Sequence, residues 1–180
     1  MSGMVVDSGD GVTHCIPVSE GRVDKFNIGR LNLAGRHMTE YLVKLLLMRG
    51  YGFNSTADFE LVREIKETLC YASRNLSTDR KLADETTVLE ADYKLPDGNF
   101  IKIGRERFEC TECLFKPVLV GREEPGISEM IFNSINGLAI DERPKYYDNI
   151  ILSGGSTMYP GMSDRIKYDL RKLHNDMRGK

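Results

Sequence analysis

The 180 residues contain no tryptophan, six prolines and four cysteines, and each scarcity narrows the problem. Six prolines and 17 glycines are far too few for a collagen-like or polyproline chain. The cysteines are Cys15, Cys70, Cys110 and Cys113. Only Cys110 and Cys113 form a C-x-x-C pair, no second pair follows, and three scattered histidines do not complete a four-ligand zinc site. The thiols therefore read as reduced, cytosolic ones. A formal net charge of −2 lacks the basic footprint of a nucleic-acid binder. The densest apolar run, Leu45-Leu46-Leu47-Met48, lies between Lys44 and Arg49 and is far below membrane-spanning length. Met1-Ser2-Gly3 opens no basic region or long apolar core, so nothing reads as a signal peptide, and the sequons at Asn54 and Asn75 are read as chance matches.

What remains is an ordinary soluble composition, 41% hydrophobic and 29% charged, at a length that predicts one domain with room for a subdomain. Two glycine-rich stretches stand out. In the first, Val5-Val6 leads into Asp7-Ser8-Gly9-Asp10-Gly11-Val12-Thr13-His14, and Cys15, Ile16 and Val18 lead away. This reads as a β-hairpin from about Met4 to Val18, with Gly9 and Gly11 expected to take up positive φ at the tip. Such a tip can offer successive backbone N–H groups to an anion. Carboxylates beside phosphates need a cation between, so Asp7 and Asp10 point to Mg²⁺ held through water. The alternative is an ordinary Asp-Gly turn. In the second stretch, the strand-like run Asn149-Ile150-Ile151-Leu152 is followed by Ser153-Gly154-Gly155-Ser156-Thr157-Met158-Tyr159-Pro160-Gly161. A helix with Met162, Ile166, Leu170 and Leu173 on one face then follows. Strand, glycine pair and helix let a ligand lie against bare backbone, although many αβ units share the pattern.

Between them, Glu20-Gly21 predicts a turn and Phe26 to Leu33 a third strand. Gly35 opens a helix whose stripe is Met38, Leu42, Leu45, Leu46 and Arg49, closed by Gly50. Ser55 or Thr56 caps the next helix, with Phe59, Val62, Ile65 and Leu69 inward. Arg63, Lys66 and Glu67 fall off that stripe and are either a ligand-facing triad or a solvated face with one weak ion pair. Residues 77–86 read as an exposed excursion, and Thr87 to Leu95 and Phe100 to Ile103 as strands joined by the Pro96-Asp97-Gly98-Asn99 turn. Phe108, Leu114 and Phe115 should reach the core. Gly121 to Gly126 is a surface loop, and Ile127, Met130, Ile131 and Ile135 mark a further helix. No internal repeat or low-complexity tract is evident.

The two glycine stretches resemble the second phosphate hairpin and the adenosine motif of the actin family. Ala34-Gly35-Arg36, Arg49-Gly50-Tyr51, Ile65-Lys66-Glu67, Leu69-Cys70-Tyr71 and Leu95-Pro96-Asp97-Gly98 resemble actin in the same order and at similar spacing. The resemblance covers nearly the whole chain. Ala57-Asp58-Phe59-Glu60, Lys81-Leu82-Ala83, Glu85 to Leu89 and Gly154 to Thr157 are closer to an actin-related member than to conventional actin, whereas Val23 to Asn27 and Asn136 to Ala139 match neither.

The resemblance implies an α/β fold, the second half of an actin-like, RNase-H-like ATPase, lacking the end of that half. It divides the chain into 1–32 with 124–180, the nucleotide-binding subdomain, and 33–123, an inserted smaller α/β subdomain. It implies ATP or ADP with Mg or Ca in a cleft. Asp7 would hold the metal through water, and Gly9, Asp10, Gly11 and Val12 would line the phosphates. His14 would position the attacking water. Arg63, Lys66 and Glu67 would border the adenosine, with Gly154, Gly155, Met158 and Tyr159 opposite. Asn32 and His37 stand where the family carries aspartates. The family's first phosphate loop, its lysine and the water-orienting glutamine fall outside these residues, so this chain alone is expected to be inactive although the intact family hydrolyses ATP slowly. The implied role is a cytoplasmic, cytoskeletal subunit of an actin-nucleating complex, with actin and the other subunits as partners and neither nucleic acid nor membrane insertion. A divergent conventional actin or another actin-related protein is the nearer alternative, and the discriminator from conventional actin is the charged Arg122-Glu123-Glu124 where the family has an apolar loop. A sugar kinase or chaperone-type ATPase of the same superfamily is the more distant one.

Overall fold

The computed structural model describes residues 2–53 and 55–179, so Met1 and the sequon residue Asn54 lie outside the described residues. Strand β1 (Gly3–Ser8) and β2 (Thr13–Ser19) form the expected hairpin, antiparallel with Ser8 opposite Thr13. Glu20 and Gly21, both at positive φ, turn the chain into the two-residue β3 (Arg22–Val23), the backbone twist that suits a tight hairpin. The third strand expected over Phe26 to Leu33 is shorter, β4 (Gly29–Leu31), paired with β2. Asp24 accepts from the N–H of Phe26 and caps a single 3₁₀ turn over Lys25–Asn27, which consumes the start of that apolar stretch.

Helix α1 (Gly35–Arg49) buries Met38, Leu42, Leu45 and Leu46 and ends on Gly50 at φ 103°. Helix α2 (Thr56–Leu69) starts on a reciprocal cap, the Ser55 side chain accepting from the Asp58 N–H and the Asp58 carboxylate from the Ser55 N–H. The exposed excursion expected over residues 77–86 is mostly helix: α3 (Leu76–Glu85) buries none of its side chains, so it carries no apolar stripe to reveal it. The strand expected from Thr87 is confined to β5 (Ala91–Lys94), which pairs with β6 (Phe100–Ile103) across the Pro96–Asn99 turn, with Gly98 at φ 92°. Helix α4 (Glu106–Phe115) places Phe108 and Leu114 in the core. A 3₁₀ turn over Pro117–Val120 leads to helix α5 (Ile127–Asn136), which buries Ile127, Met130, Ile131 and Ile135. Helix α6 (Arg143–Asp148), strand β7 (Ile150–Ser153) and helix α7 (Met162–Arg178) complete the chain.

The main sheet has the order β3-β2-β1-β7, with β4 also on β2, and β7 runs parallel to β1. Its buried face carries Met4, Val6, Cys15 and Leu31, covered by α5, which approaches so closely that a Cβ on Gly29 would collide with Met130. The reading of β7 as buried is corrected: Ile151 is 55% exposed, because β7 is an edge strand and its outward face has no covering layer among the described residues. All four cysteines are buried and unbridged, and burial pushes the Cys15 and Cys113 thiols up to about 12. No helix among the described residues is long and apolar enough to cross a membrane.

Candidate functional site

The parallel pairing of β1 with β7 brings the two glycine-rich turns to the same end of the sheet. β1 runs into the tip at Gly9, and β7 runs into Gly154, so turns 145 residues apart in sequence leave adjacent strands side by side. The Ser156 hydroxyl donates to Gly9 O at 2.7 Å. Gly154, at φ 87°, passes so close to the Ser8 backbone that a side chain would collide with it.

The first turn of α1 meets the same point. Gly35 N–H donates to Gly9 O at 3.1 Å and Arg36 N–H to Asp10 O at 2.8 Å. The Arg36 guanidinium pairs with the Asp10 carboxylate at 2.9 Å. The tip's carbonyls are thus drawn toward α1 and Ser156. Among the described residues no acceptor takes the N–H groups of Asp10, Gly11 or Val12. Gly9, Gly11 and Gly155 have nothing within 4 Å of where a Cβ would stand. Bare backbone beside open space with unclaimed N–H donors suits an anion. The expectation of positive φ at Gly9 and Gly11 is corrected: neither adopts it. The tip spans four residues, closed by Gly9 N–H on Val12 O at 3.2 Å, and a loop of that length needs no left-handed residue. What the glycines supply here is room.

Helix α2 forms the facing wall. Lys66, expected off the apolar stripe, is only 4% exposed. Its stem crosses toward α1, and its ammonium donates to Gly35 O at 2.9 Å and to Thr39 Oγ1 at 3.0 Å. Burial lowers its pKa from the ordinary lysine value. Arg63 and Glu67 stay exposed and pair at 3.1 Å, Arg63 also reaching Glu60 at 3.6 Å, and the hydrogen bond to Glu67 raises the Arg63 pKa. Tyr159 is buried, which raises its pKa.

These walls enclose a groove of about 500 Å³, within the range of about 300–1,000 Å³ that small-molecule sites occupy. Of the residues named from sequence, Gly9, Asp10, Arg63, Lys66, Glu67, Gly155, Met158 and Tyr159 line it. Asp7, Gly11, Val12, His14 and Gly154 do not. Asp7 and His14 lie opposite each other across the hairpin, one step behind the tip, with Ser153 on the other side of Asp7. Both are half-buried and share the sheet face opposite to Met4 and Val6. Gly35, Ser156 and Pro160 also line the groove and were not singled out. Gly35 was legible as a helix start and as part of the actin-like Ala34-Gly35-Arg36, but nothing local tells that this helix begins against the hairpin tip. Among the described residues no group of three or more His, Cys, Asp or Glu side chains is arranged to hold a metal directly.

The family model for actin matches residues 1–180. The chain belongs to the actin family. Within it, the chain is 56% identical over 172 residues to actin-related protein 2 of Schizosaccharomyces pombe. It is 53% identical over 174 residues to that of Acanthamoeba castellanii, and 54% over 181 residues to that of Saccharomyces cerevisiae. These alignments cover 96–97% of the chain but only 44–46% of each relative, so this actin-family chain spans less than half the length of the curated relatives it matches. The mixed α/β architecture is consistent with an actin-like fold.

Proposed function

We propose that this chain forms one wall of the nucleotide cleft in an actin-related subunit of an actin-nucleating complex, in which actin-related proteins 2 and 3 promote branched filament assembly. The observation that carries the nucleotide reading is the convergence of Gly9–Asp10, Gly155–Tyr159 and Arg63–Glu67 on one groove. The member assignment rests on the relatives named actin-related protein 2.

On this reading ATP or ADP lies along the groove, its phosphates toward the N–H groups of Asp10, Gly11 and Val12 and its adenosine between α2 and the Gly155–Tyr159 loop. Mg²⁺ or Ca²⁺, when bound, neutralises phosphate charge. Asp7, recessed behind the tip, suits a role through water better than direct coordination. His14, opposite Asp7, is the candidate for orienting a water. Lys66 holds a cation at the groove floor, and Glu67 accepts from ribose hydroxyls. Arg63 pairs with Glu67 and orients its carboxylate. The division into 1–32 with 124–180 and an inserted 33–123, the cytoplasmic cytoskeletal location, and partnership with actin and the other subunits belong to the same proposal.

Glu67→Ala tests the ribose contact. The variant should weaken Mg·ATP binding more than binding of 2′,3′-dideoxy-ATP, measured by calorimetry. Equal losses for both nucleotides would remove Glu67 from the site. Affinity purification of the tagged native protein should recover actin and actin-related protein 3. Their absence from a preparation that retains nucleotide would overturn the complex assignment and leave the nucleotide reading standing.

A further inference from the structure

A buried ion pair behind the groove has no part in the contacts described so far. Arg165, in the first turn of α7, is 6% exposed, and Glu112 of α4 is 1% exposed. They form a two-pronged contact, Nη1 to Oε2 at 2.8 Å and Nη2 to Oε1 at 3.0 Å. The guanidinium also donates from Nη1 to Ser73 O at 2.7 Å and from Nε to Asp169 at 3.0 Å, and it lies 4.3 Å from the centre of the Phe115 ring. Lys116 approaches Glu112 from the solvent side at 3.2 Å.

Ser73 ends a four-residue strap, Cys70 to Ser73, that leaves the end of α2. The strap touches both sides of the groove's support. Toward α4, Tyr71 N–H donates to Arg107 O at 3.1 Å and Thr111 Oγ1 donates to Tyr71 O at 2.8 Å. Toward the glycine loop, Ala72 N–H donates to Pro160 O at 2.8 Å. Gly161, at φ 82°, lies so close to the strap that a Cβ would collide with Ala72 O. One wall of the groove is the helix that feeds this strap, and the other is the loop that ends at Pro160. The separation of the walls is therefore determined where strap and loop meet, and Arg165 binds both the strap carbonyl and α4 at that point.

We propose that Arg165, clasped by Glu112, is a positioning residue that sets the width of the groove between α2 and the Gly155–Pro160 loop, and through it the fit of the base and ribose. The inference rests on the nucleotide reading for its ligand, but the width itself is a property of the fold. Stability alone is a poor explanation of the pair. A buried pair contributes no more than well-packed apolar residues of the same volume, because its attraction is offset by desolvation. What apolar residues cannot do is fix orientation. A planar fork that engages two carboxylate oxygens and a backbone carbonyl at once holds α7, α4 and the strap in one register.

Arg165→Lys retains the charge but removes the fork. Glu112→Gln combined with Arg165→Met removes the buried pair together, leaving the partly buried Asp169 carboxylate with its Ser128 hydrogen bond, and serves if the lysine variant does not fold. Two measurements are made on each folded variant. Because the native cysteines are buried, nitroxide labels attached at Glu64→Cys on α2 and Lys167→Cys on α7, the helix that the Gly155–Pro160 loop leads into, report the separation of the elements that carry the two walls. The expected result is a shifted or broadened distance distribution. In parallel, binding of Mg·ATP and of Mg-tripolyphosphate is measured. ATP affinity should fall about 2- to 30-fold, the range for a supporting residue that does not touch the ligand. Tripolyphosphate affinity should stay unchanged, because the hairpin tip is not attached to the strap. An unchanged label distance overturns the proposal whatever the ligand does, and so does an equal loss for ATP and tripolyphosphate. If the parent protein binds neither ligand, the nucleotide reading fails and the label distance alone decides the role of Arg165.

Discussion

Replacing Lys66 by methionine separates the chemistry of the groove from the stability of the fold. The ammonium makes two hydrogen bonds, to Gly35 O and Thr39 Oγ1. At about 1.5–3 kcal/mol for each bond to a charged group, about 3–6 kcal/mol of favourable interaction disappears. Against this stands the cost of holding an ammonium away from water, several kcal/mol. Methionine keeps most of the stem's packing, and Gly35 O is not orphaned, since Thr39 Oγ1 also donates to it at 3.1 Å. The net loss should be about 0–2 kcal/mol, a fall in Tm of no more than about 8 °C for a chain of this size. Burial lowers the Lys66 pKa from 10.5. In the window just below 10.5 the unfolded chain holds more protons on this residue than the folded chain. Lys66 therefore contributes a stability gain as pH rises there, and the parent should gain on the variant. Removing the cation should also weaken Mg·ATP binding about tenfold or more. Thermal melts of parent and variant between pH 7 and 10, with and without Mg·ATP, read all three quantities. A loss above about 4 kcal/mol without ligand would mean Lys66 is a structural keystone. An unchanged shift on adding Mg·ATP would remove it from the ligand site.

Gly161→Ala should cost at least about 2 kcal/mol, because a side chain at φ 82° is strained and would collide with the Ala72 carbonyl; chemical denaturation checks this, and a neutral result would mean the strap yields freely. The four buried thiols should resist Ellman's reagent at pH 8 in the folded chain and all react after denaturation; rapid labelling of Cys15 or Cys113 in the folded state would contradict their burial. With these two thiols raised from 9.0 to about 12, the unfolded chain gives up protons the folded chain keeps, so stability should fall by roughly 1.4 kcal/mol per pH unit per thiol above pH 9.

The sequence was most legible where one backbone rule decides the outcome. The hairpin, the Pro96–Asn99 turn, the Ser55 cap and the Gly50 terminus each follow from local chemistry. It was least legible where tertiary contact decides. Helix α3 has no apolar stripe because it buries none of its side chains, so it read as an excursion. Lys66 fell off the stripe of α2 by periodicity, yet it is buried because the first turn of α1 supplies a carbonyl and a hydroxyl for its ammonium. Ile151 read as core because nothing in a strand's own residues says whether it lies at a sheet edge. At the candidate site the glycines were visible, but not the reason for them. Gly9 and Gly11 leave open space, whereas Gly154 and Gly161 permit backbone collisions to be avoided. Arg36, Ser156 and Arg165 act through partners far away in sequence, and no spacing rule reaches that far.

The central claim is that the two glycine turns hold one ligand. Amide chemical shifts of the chain during a titration with Mg·ATP test it most directly. The account predicts that Asp10, Gly11 and Val12 shift together with Gly155, Met158 and Tyr159, along one binding curve with a Kd of about 0.1–1 mM, the affinity of roughly −4 to −5.5 kcal/mol expected of a nucleotide held on a single wall. Movement of only one of the two turns, or of neither at 10 mM nucleotide, a concentration about ten times the weaker limit of that range, would contradict it.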